Sequence, residues 1–164
     1  MSVHRPPPTE FVIDPPNGVA PLQIGMTYKQ ALEAVTAWGT PRVSGSFAHT
    51  STVKIRVDHH SMDVVALLED GKTVTAIELW RFEKDPAGVR VLLDDIDVFR
   101  TPAREVLRQQ AERGRTVDES VPESPEIPGV TLAFTRETGQ DVPREADGLP
   151  LYFTSVLVAD TDYF

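Results

Sequence analysis

The chain contains no cysteine in its 164 residues. Disulfide frameworks, zinc–thiolate sites and thiol nucleophiles all require cysteine, so all three are excluded. The first residues, Met-Ser-Val-His-Arg-Pro-Pro-Pro, lack the apolar core of a secretory signal peptide. These two absences predict a cytoplasmic protein.

Basic residues are few and scattered. Sixteen Lys and Arg stand against 25 Asp and Glu, which gives a formal net charge of −9, and no basic cluster is longer than a pair. An acidic field of this kind repels phosphate backbones and anionic lipids. No apolar run reaches the roughly 18 to 20 residues that span a bilayer. We therefore expect neither nucleic acid nor a membrane as partner, but another protein that is more basic than this chain.

Sequence signatures of catalysis are also missing. The chain has no Gly-x-Ser-x-Gly nucleophile elbow, no phosphate-binding glycine loop and no dinucleotide fingerprint. Paired carboxylates for acid–base chemistry remain an alternative, because the chain has 25 acidic residues. We therefore expect no catalytic residues and no cofactor. A small-ligand-binding protein or a carboxylate-dependent hydrolase, with its site in a cleft between two halves, is the alternative function.

One polar run combines histidine with aspartate. His59 and His60 lie close to Asp58 and Asp63, and imidazole and carboxylate groups are common metal ligands. Adjacent residues of a strand point to opposite faces, so at most one of the two histidines can join a given site. A polar turn between two strands is the favoured interpretation, and no metal site is predicted here.

A second acidic run contains Asp94, Asp95 and Asp97. Carboxylate oxygens are suitable ligands for calcium or magnesium, but the run lacks the glycine and the terminal glutamate of an EF-hand loop. We interpret the run as a solvated edge.

The best-defined element in the sequence is a helix within residues 22–41. Thr27 is an N-cap candidate, and Gln30 three positions later completes a capping box. Gly39 is expected to end the helix, and Pro41 prevents its continuation. Positions at helical spacing form one apolar stripe: Tyr28, Ala31, Leu32, Val35 and Trp38. The stripe predicts a helix that packs on a core, with Trp38 buried as its last residue.

Strands are predicted where apolar residues alternate with polar ones or where β-branched and aromatic residues concentrate. Such segments lie at residues 11–13, 52–58, 62–69, 73–82, 130–135 and 151–159. Asp70-Gly71 separates two of them and is a strong hairpin signal. The first half of the chain is therefore expected to contain a helix followed by an antiparallel meander.

A second helix is predicted near the middle of the chain. Thr101 is its N-cap candidate, with Pro102 at the first helical position, where the missing N–H is tolerated. Val106 and Leu107 occupy the apolar stripe, and Gly114 follows the expected last residue.

The two helix starts indicate an internal repeat. Thr101 follows Thr27 by almost half the length of the chain, and polar loops and strands follow both helices. We predict an α+β fold made by tandem duplication of a helix followed by an antiparallel meander, with the two halves forming one compact unit. Residues 10–84 form the first repeat, residues 85–164 the second, and residues 1–9 a flexible tail. Two unrelated helices in an ordinary α+β domain are the alternative.

The segment Ile24-Gly25-Met26-Thr27, followed by Gln30 and Gly39-Thr40-Pro41, resembles the Gly-Met-Thr helix signature of the SmpA/OmlA lipoproteins and the β-lactamase inhibitor proteins. The resemblance implies a BLIP-like fold of two repeats and a protein-binding role. This chain departs from the inhibitors in lacking their cysteines and their secretion signal, and no inhibitory residues carry over. The segments 152–159 and 162–164 resemble uncharacterised actinobacterial proteins, which implies no function.

The predicted strand 73–82 has apolar residues on both faces. Such a strand is either covered on both sides or covered once and free to bind a partner. In the second case Trp80 and Phe82, placed on the same face by strict alternation, would anchor the partner, because aromatic residues often do so. The sequence therefore favours a non-enzymatic interaction module, such as an intracellular inhibitor or immunity-type protein, with Trp80 and Phe82 as candidate binding residues.

Overall fold

The computed structural model describes residues 9–45, 52–59, 62–82, 88–136 and 142–160. These ranges contain two α-helices, α1 (Tyr28–Val35) and α2 (Ala103–Glu112), and a 3-10 turn at Pro128–Val130. They also contain twelve strands: β1 (Thr9–Asp14), β2 (Gly18–Val19), β3 (Leu22–Gln23), β4 (Arg42–Ser44), β5 (Val53–His59), β6 (Met62–Leu68), β7 (Ala76–Trp80), β8 (Val89–Leu93), β9 (Ile96–Asp97), β10 (Glu126–Ile127), β11 (Leu132–Thr135) and β12 (Ser155–Ala159). This content agrees with the predicted α+β class.

The strands form two sheets. The large sheet has the order β10-β11-β12-β7-β6-β5-β4, and every described pairing in it is antiparallel. Strands β7 and β12 pair at its centre, so strands from both halves of the chain form one continuous sheet. The small sheet has the order β3-β2-β1-β8-β9 and contains a parallel pair, β1 with β8, which the sequence did not predict.

One face of the large sheet forms the main core. Along β5, Val53, Ile55 and Val57 are buried while the residues between them are exposed, as the alternating sequence predicted. The same hydrophobic cluster includes residues of the small sheet and of both helices, such as Phe11 and Val106. The small sheet and the helices therefore cover this face of the large sheet.

The start of α1 agrees with the sequence. The Thr27 hydroxyl accepts from the Gln30 backbone N–H at 3.2 Å, and the Gln30 side chain accepts from the Thr27 backbone N–H at 3.0 Å. The end of α1 was predicted too late, because the helix finishes at Val35. From Thr36 to Trp38 each backbone N–H donates to the carbonyl oxygen three residues earlier, as in a 3-10 turn. The Thr36 hydroxyl also donates to the Glu33 carbonyl oxygen at 2.5 Å. Trp38 therefore lies in a turn, only partly buried.

The start of α2 was predicted one position too early. Pro102, and not Thr101, is the N-cap residue, and no side chain caps this end. The Ala103 N–H instead donates to the Leu151 carbonyl oxygen at 2.8 Å, so a neighbouring segment satisfies this donor. The end at Glu112, with Gly114 at a φ of 89°, agrees with the prediction.

The predicted hairpin between β6 and β7 is present. Gly71 has a φ of 73°, and the Asp70 carboxylate accepts from the backbone N–H groups of Thr73 and Lys72. These bonds lower the pKa of Asp70, the bond from Thr73 having the larger effect.

Strand β7 is shorter than the predicted 73–82, and its alternation stops at Trp80. The Arg81 N–H donates to the Thr154 carbonyl oxygen, and Phe82 then turns into the core, where it is 2% exposed and meets the Phe99 ring edge-on. Trp80 and Phe82 thus do not share a face, contrary to the prediction. No described helix is long and apolar enough to cross a membrane.

Candidate interaction surface on the large sheet

The other face of the large sheet, which we call the outer face, points away from the main core. Alternation and register place on it the side chain of every second residue of each strand. These are Arg42, Ser44, Lys54, Arg56, Asp58, Asp63, Val65, Leu67, Ala76, Glu78, Trp80, Glu126, Ala133, Thr135, Ser155, Leu157 and Ala159. Of the two predicted binding residues, only Trp80 lies on this face.

An apolar cluster lies beside Glu78 at the centre of the outer face. Ala76, Leu157 and Ala159 form a hydrophobic cluster separate from the main core, and Leu67 and Ala133 pack against it. Two of these five side chains face each other across the β7–β12 pair, Ala76 opposite Ala159. Three of these five residues are alanines with small side chains. The charged and aromatic side chains around them therefore project above the centre.

A groove of about 350 Å³ lies on the outer face across β4 to β7. Its lining residues are Ser44, Lys54, Arg56, Val65, Leu67, Glu78 and Trp80. At one end, the Trp80 indole N–H donates to the Glu78 carboxylate at 2.7 Å, which fixes the orientation of a partly exposed ring. Apolar Val65 and Leu67 form the middle, and the cations of β5 form the opposite end.

The cationic end of the groove is built from β4 and β5. Arg42 lies directly opposite Arg56, and Ser44 lies opposite Lys54. Arg56 is 3.5 Å from the Asp63 carboxylate, and the Arg56 side chain is about half exposed. Within the described part of the chain, Arg42 and Lys54 make no ion pair. Two exposed cations are thus available at this end.

A second cavity, of about 520 Å³, lies between α2 and the segments 117–122 and 147–149, with Arg136 at its edge. Glu145, next to the cavity, accepts from Arg136 and from Arg104, both at 3.1 Å. Arg136 is buried and also donates to the Pro150 carbonyl oxygen at 2.9 Å. This network fastens the segment 142–150 to β11 and to α2.

Among the described residues, the carboxylate with the largest pKa change lies on the exposed surface of α2. The Arg108 guanidinium donates to Glu105 and, with a further bond from Gln109, lowers the pKa of Glu105 to about 2. An acid so strong is ionised at neutral pH, so it is unsuited to proton transfer there.

Two of the three aspartates in the run 94–97 are held by arginines, so the run is not the solvated edge that the sequence predicted. Asp94 and Asp95 have φ values of 50° and 66° and make the turn between β8 and β9. The Asp94 carboxylate accepts from Arg115 at 2.8 Å, and Asp97 accepts from Arg100 at 2.9 Å. Asp94 therefore connects this turn to the segment after α2.

His59, the other metal candidate, serves as a packing residue. Its Nδ1 atom is 3.1 Å from the Trp38 carbonyl oxygen, and its ring meets Phe11 edge-on with centroids 5.6 Å apart. His60 lies outside the described residues. Among the described residues, no group of three or more His, Asp or Glu side chains is placed to hold a metal ion.

Sequence reasoning missed the cationic end of the groove. The signal was present in strand 52–58, where Lys54 and Arg56 occupy the polar positions. What the sequence could not show is that Arg42 lies beside them and Trp80 two strands away.

No protein-family model, curated protein or solved structure matches this chain. The likeness to the β-lactamase inhibitor proteins therefore stays a prediction from the segment around Thr27, and the function has to be inferred from the geometry.

Proposed function

We propose that the protein is a non-enzymatic protein-interaction module, such as an inhibitor or immunity-type protein, and that it binds its partner through the outer face. The groove beside Trp80 carries this proposal. It combines a partly exposed, oriented indole, an apolar middle and charged side chains on one sheet face.

This arrangement has the anatomy of a protein–protein interface. Interfaces commonly combine an apolar centre with a polar rim, and tryptophan is enriched among the residues that dominate binding. Here Leu67 and Ala133, which are partly exposed and pack against the buried Ala76, Leu157 and Ala159, supply the apolar centre, and Asp58, Lys54 and other charged residues surround it. Phe82 has no part in the proposed contact because it is buried in the core.

We further propose that the scaffold arose by tandem duplication. The pairing between strands supports it, because Glu78 of β7 lies opposite Leu157 of β12, almost half the chain later, at the centre of the large sheet. If a two-fold axis between β7 and β12 relates the two repeats, equivalent residues of the repeats lie opposite each other at that axis. The parallel pair of β1 with β8 does not follow this two-fold relation.

The order of elements supports the same proposal. Paired strands precede each helix, β1, β2 and β3 before α1 and β8 with β9 before α2, and an antiparallel meander follows each helix. Two repeats that join edge to edge give a sheet wider than either could form, and the resemblance to the β-lactamase inhibitor proteins implies a chain of two such helix-and-strand repeats.

An experimental structure would test the duplication by superposition. Residues 18–82 placed on residues 91–159 should align α1 with α2 and should bring Glu78 onto Leu157. Helices that run in different directions relative to their meanders would contradict a common origin of the halves.

For the partner we propose a cytoplasmic protein that is more basic than this chain. The net charge of −9 supports this, because long-range attraction accelerates the encounter of oppositely charged proteins. The alternative, a small-ligand-binding protein or hydrolase, has less support. Glu145 and Asp97, whose side chains are the least exposed among the ion-paired carboxylates of the described residues, are both paired with arginines.

The salt dependence of association tests this charge relationship. The screening length falls from about 10 Å at 0.1 M salt to about 3 Å at 1 M, which removes long-range attraction towards the acidic chain. Raising the salt should slow association far more than it accelerates dissociation, because the contact with Trp80 is largely apolar. Association rates that do not change with salt would reject a basic partner steered by charge.

The function itself is tested by capture of partners from a lysate of the source cell by the wild type, Trp80→Ala and Val12→Ala, followed by mass spectrometry. Val12 is a matched control because it is a half-exposed apolar residue on the small sheet. A protein captured by the wild type and Val12→Ala, but not by Trp80→Ala, would support the proposal. Capture that is equal for all three folded proteins would contradict it.

A further inference from the structure

We propose that the groove on the outer face binds an acidic segment of the partner protein, with a carboxylate at the Lys54 end and an apolar side chain against Trp80. This inference rests on the proposed function and specifies which part of the partner enters the groove. The partner as a whole can still be more basic than this chain.

The first argument is the charge distribution. The chain has a net charge of −9. Yet both charged side chains of β5 that line the groove, Lys54 and Arg56, are basic, and Arg42 lies beside them on β4. A positive end on an otherwise acidic protein complements a negative segment and repels a positive one.

The second argument is the cost of this arrangement to folding. Arg42 and Arg56 lie directly opposite each other on neighbouring strands, where like charges destabilise a sheet. Of the two, only Arg56 has an acidic ion-pair partner, Asp63, among the described residues. Packing alone does not account for a repulsive pair at an exposed position, whereas a carboxylate that binds between the cations would relieve it.

The third argument is the polarity of the groove. Glu78 is the acid at the opposite end, where the Trp80 indole N–H already occupies one of its oxygens. Val65 and Leu67 separate this end from the cations. A segment with a carboxylate at one end and an apolar side chain at the other therefore matches the groove in one direction only.

The size of the groove indicates the length of that segment. The register places Trp80 across β6 from Asp58, and Lys54 lies further along the same strand as Asp58. Two strand spacings of about 4.8 Å and a rise of about 13 Å along the strand put the Cα atoms of Trp80 and Lys54 about 16 Å apart. An extended peptide of about five residues spans this distance.

The test uses ¹⁵N-labelled full-length protein and two capped peptides, Glu-Leu-Glu-Leu-Glu and Lys-Leu-Lys-Leu-Lys. The chain has two tryptophans, so Trp80 and Trp38 each give one indole signal, and Trp38 is the internal control. We expect the acidic peptide to shift the Trp80 signal at millimolar concentration and to leave the Trp38 signal in place. The lysine peptide should shift neither.

Two charge reversals complete the test. Lys54→Glu should weaken binding of the acidic peptide by about tenfold, a change equivalent to roughly 1.4 kcal/mol. Lys72→Glu alters the net charge equally but lies exposed in the β6–β7 turn, so it should leave binding unchanged. Binding that both reversals weaken equally would reflect net charge and would overturn the inference.

Other outcomes separate the two proposals. A Trp80 shift with the lysine peptide alone would overturn the acidic assignment and retain the outer face as a binding surface. No Trp80 shift with either peptide would overturn the inference. In that case, partner capture that depends on Trp80 would show that the proposed function still stands, and capture independent of Trp80 would reject both.

Discussion

The Trp80 indole and the Glu78 carboxylate, two positions apart on the same face of β7, are joined by a hydrogen bond of 2.7 Å. Glu78 also lies at the centre of the large sheet, with Val65 opposite on one side and Leu157 on the other. The bond holds a large aromatic ring above small neighbours without burying it. Oriented in advance, the ring loses little side-chain entropy when a partner binds.

The orienting role of Glu78 can be tested by Glu78→Leu, which keeps the approximate side-chain size and removes the acceptor. We expect binding to the captured partner to weaken about fivefold to tenfold, roughly 1 kcal/mol, which is close to the net contribution of one typical hydrogen bond. Glu69→Leu, at an exposed position just after β6, is the control and should bind as the wild type does. Equal affinity of the two variants in surface plasmon resonance would show that the hydrogen bond has no role.

The two tryptophans should differ in their contribution to stability. Trp38 packs on Phe11 with ring centroids 4.9 Å apart and contacts the main core, so Trp38→Ala should cost about 3 kcal/mol of unfolding free energy. Trp80→Ala should cost about 1 kcal/mol, because this partly exposed ring is not among the described residues that pack on the main core. Urea melts of both variants measure these losses. A loss below about 1 kcal/mol for Trp38→Ala would show that its contact with Phe11 contributes little.

The first helix start was predictable because its determinants are local. Thr27 and Gln30 lie within one helical turn of each other, and the side chain of each accepts from the backbone N–H of the other. This helix start therefore does not depend on distant segments. The alternation of Val53, Ile55 and Val57 was predictable for the same reason.

The remaining features depend on contacts between distant segments. Ala103 starts α2 because its N–H meets Leu151, far along the chain, and β1 pairs with β8, which lies almost half the chain away. Phe82 leaves the strand period and packs in the main core against Phe99, which lies between β9 and α2. Periodicity therefore identified Trp80 as a candidate but could not show that the following aromatic residue turns to the core.

Arg136 provides a test of the network around the segment 142–150. It is buried and binds both Glu145 and the Pro150 carbonyl oxygen, so Arg136→Ala leaves the carbonyl oxygen without its donor, while Glu145 keeps its bond from Arg104. We expect a loss of about 1 to 3 kcal/mol in chemical denaturation. Arg108→Ala, which breaks ion pairs on the exposed surface of α2, is the control and should change the midpoint little. Similar midpoints for the two variants would contradict the assigned role.

The Glu105 carboxyl group should titrate unusually low. Its pKa is lowered from 4.5 to about 2, first by the Arg108 guanidinium and then by the Gln109 side chain. Because the folded pKa is below the ordinary value, the associated stability is present above about pH 4.5 and is lost as the pH falls towards 2. Solvent exposure keeps this contribution small. Carbon-detected NMR titration should show the Glu105 pKa rising towards 4.5 in Arg108→Gln, and an unchanged pKa would contradict the cause given.

The central claim, that the outer face is a protein-binding surface anchored by Trp80, is tested most directly by one affinity comparison. Surface plasmon resonance with the captured partner should give a Kd for Trp80→Ala at least about thirtyfold above that of the wild type, the loss typical of a dominant interface residue. Val12→Ala, on the small sheet, should keep the wild-type Kd. A folded Trp80→Ala variant that binds the partner with the wild-type Kd would contradict the claim.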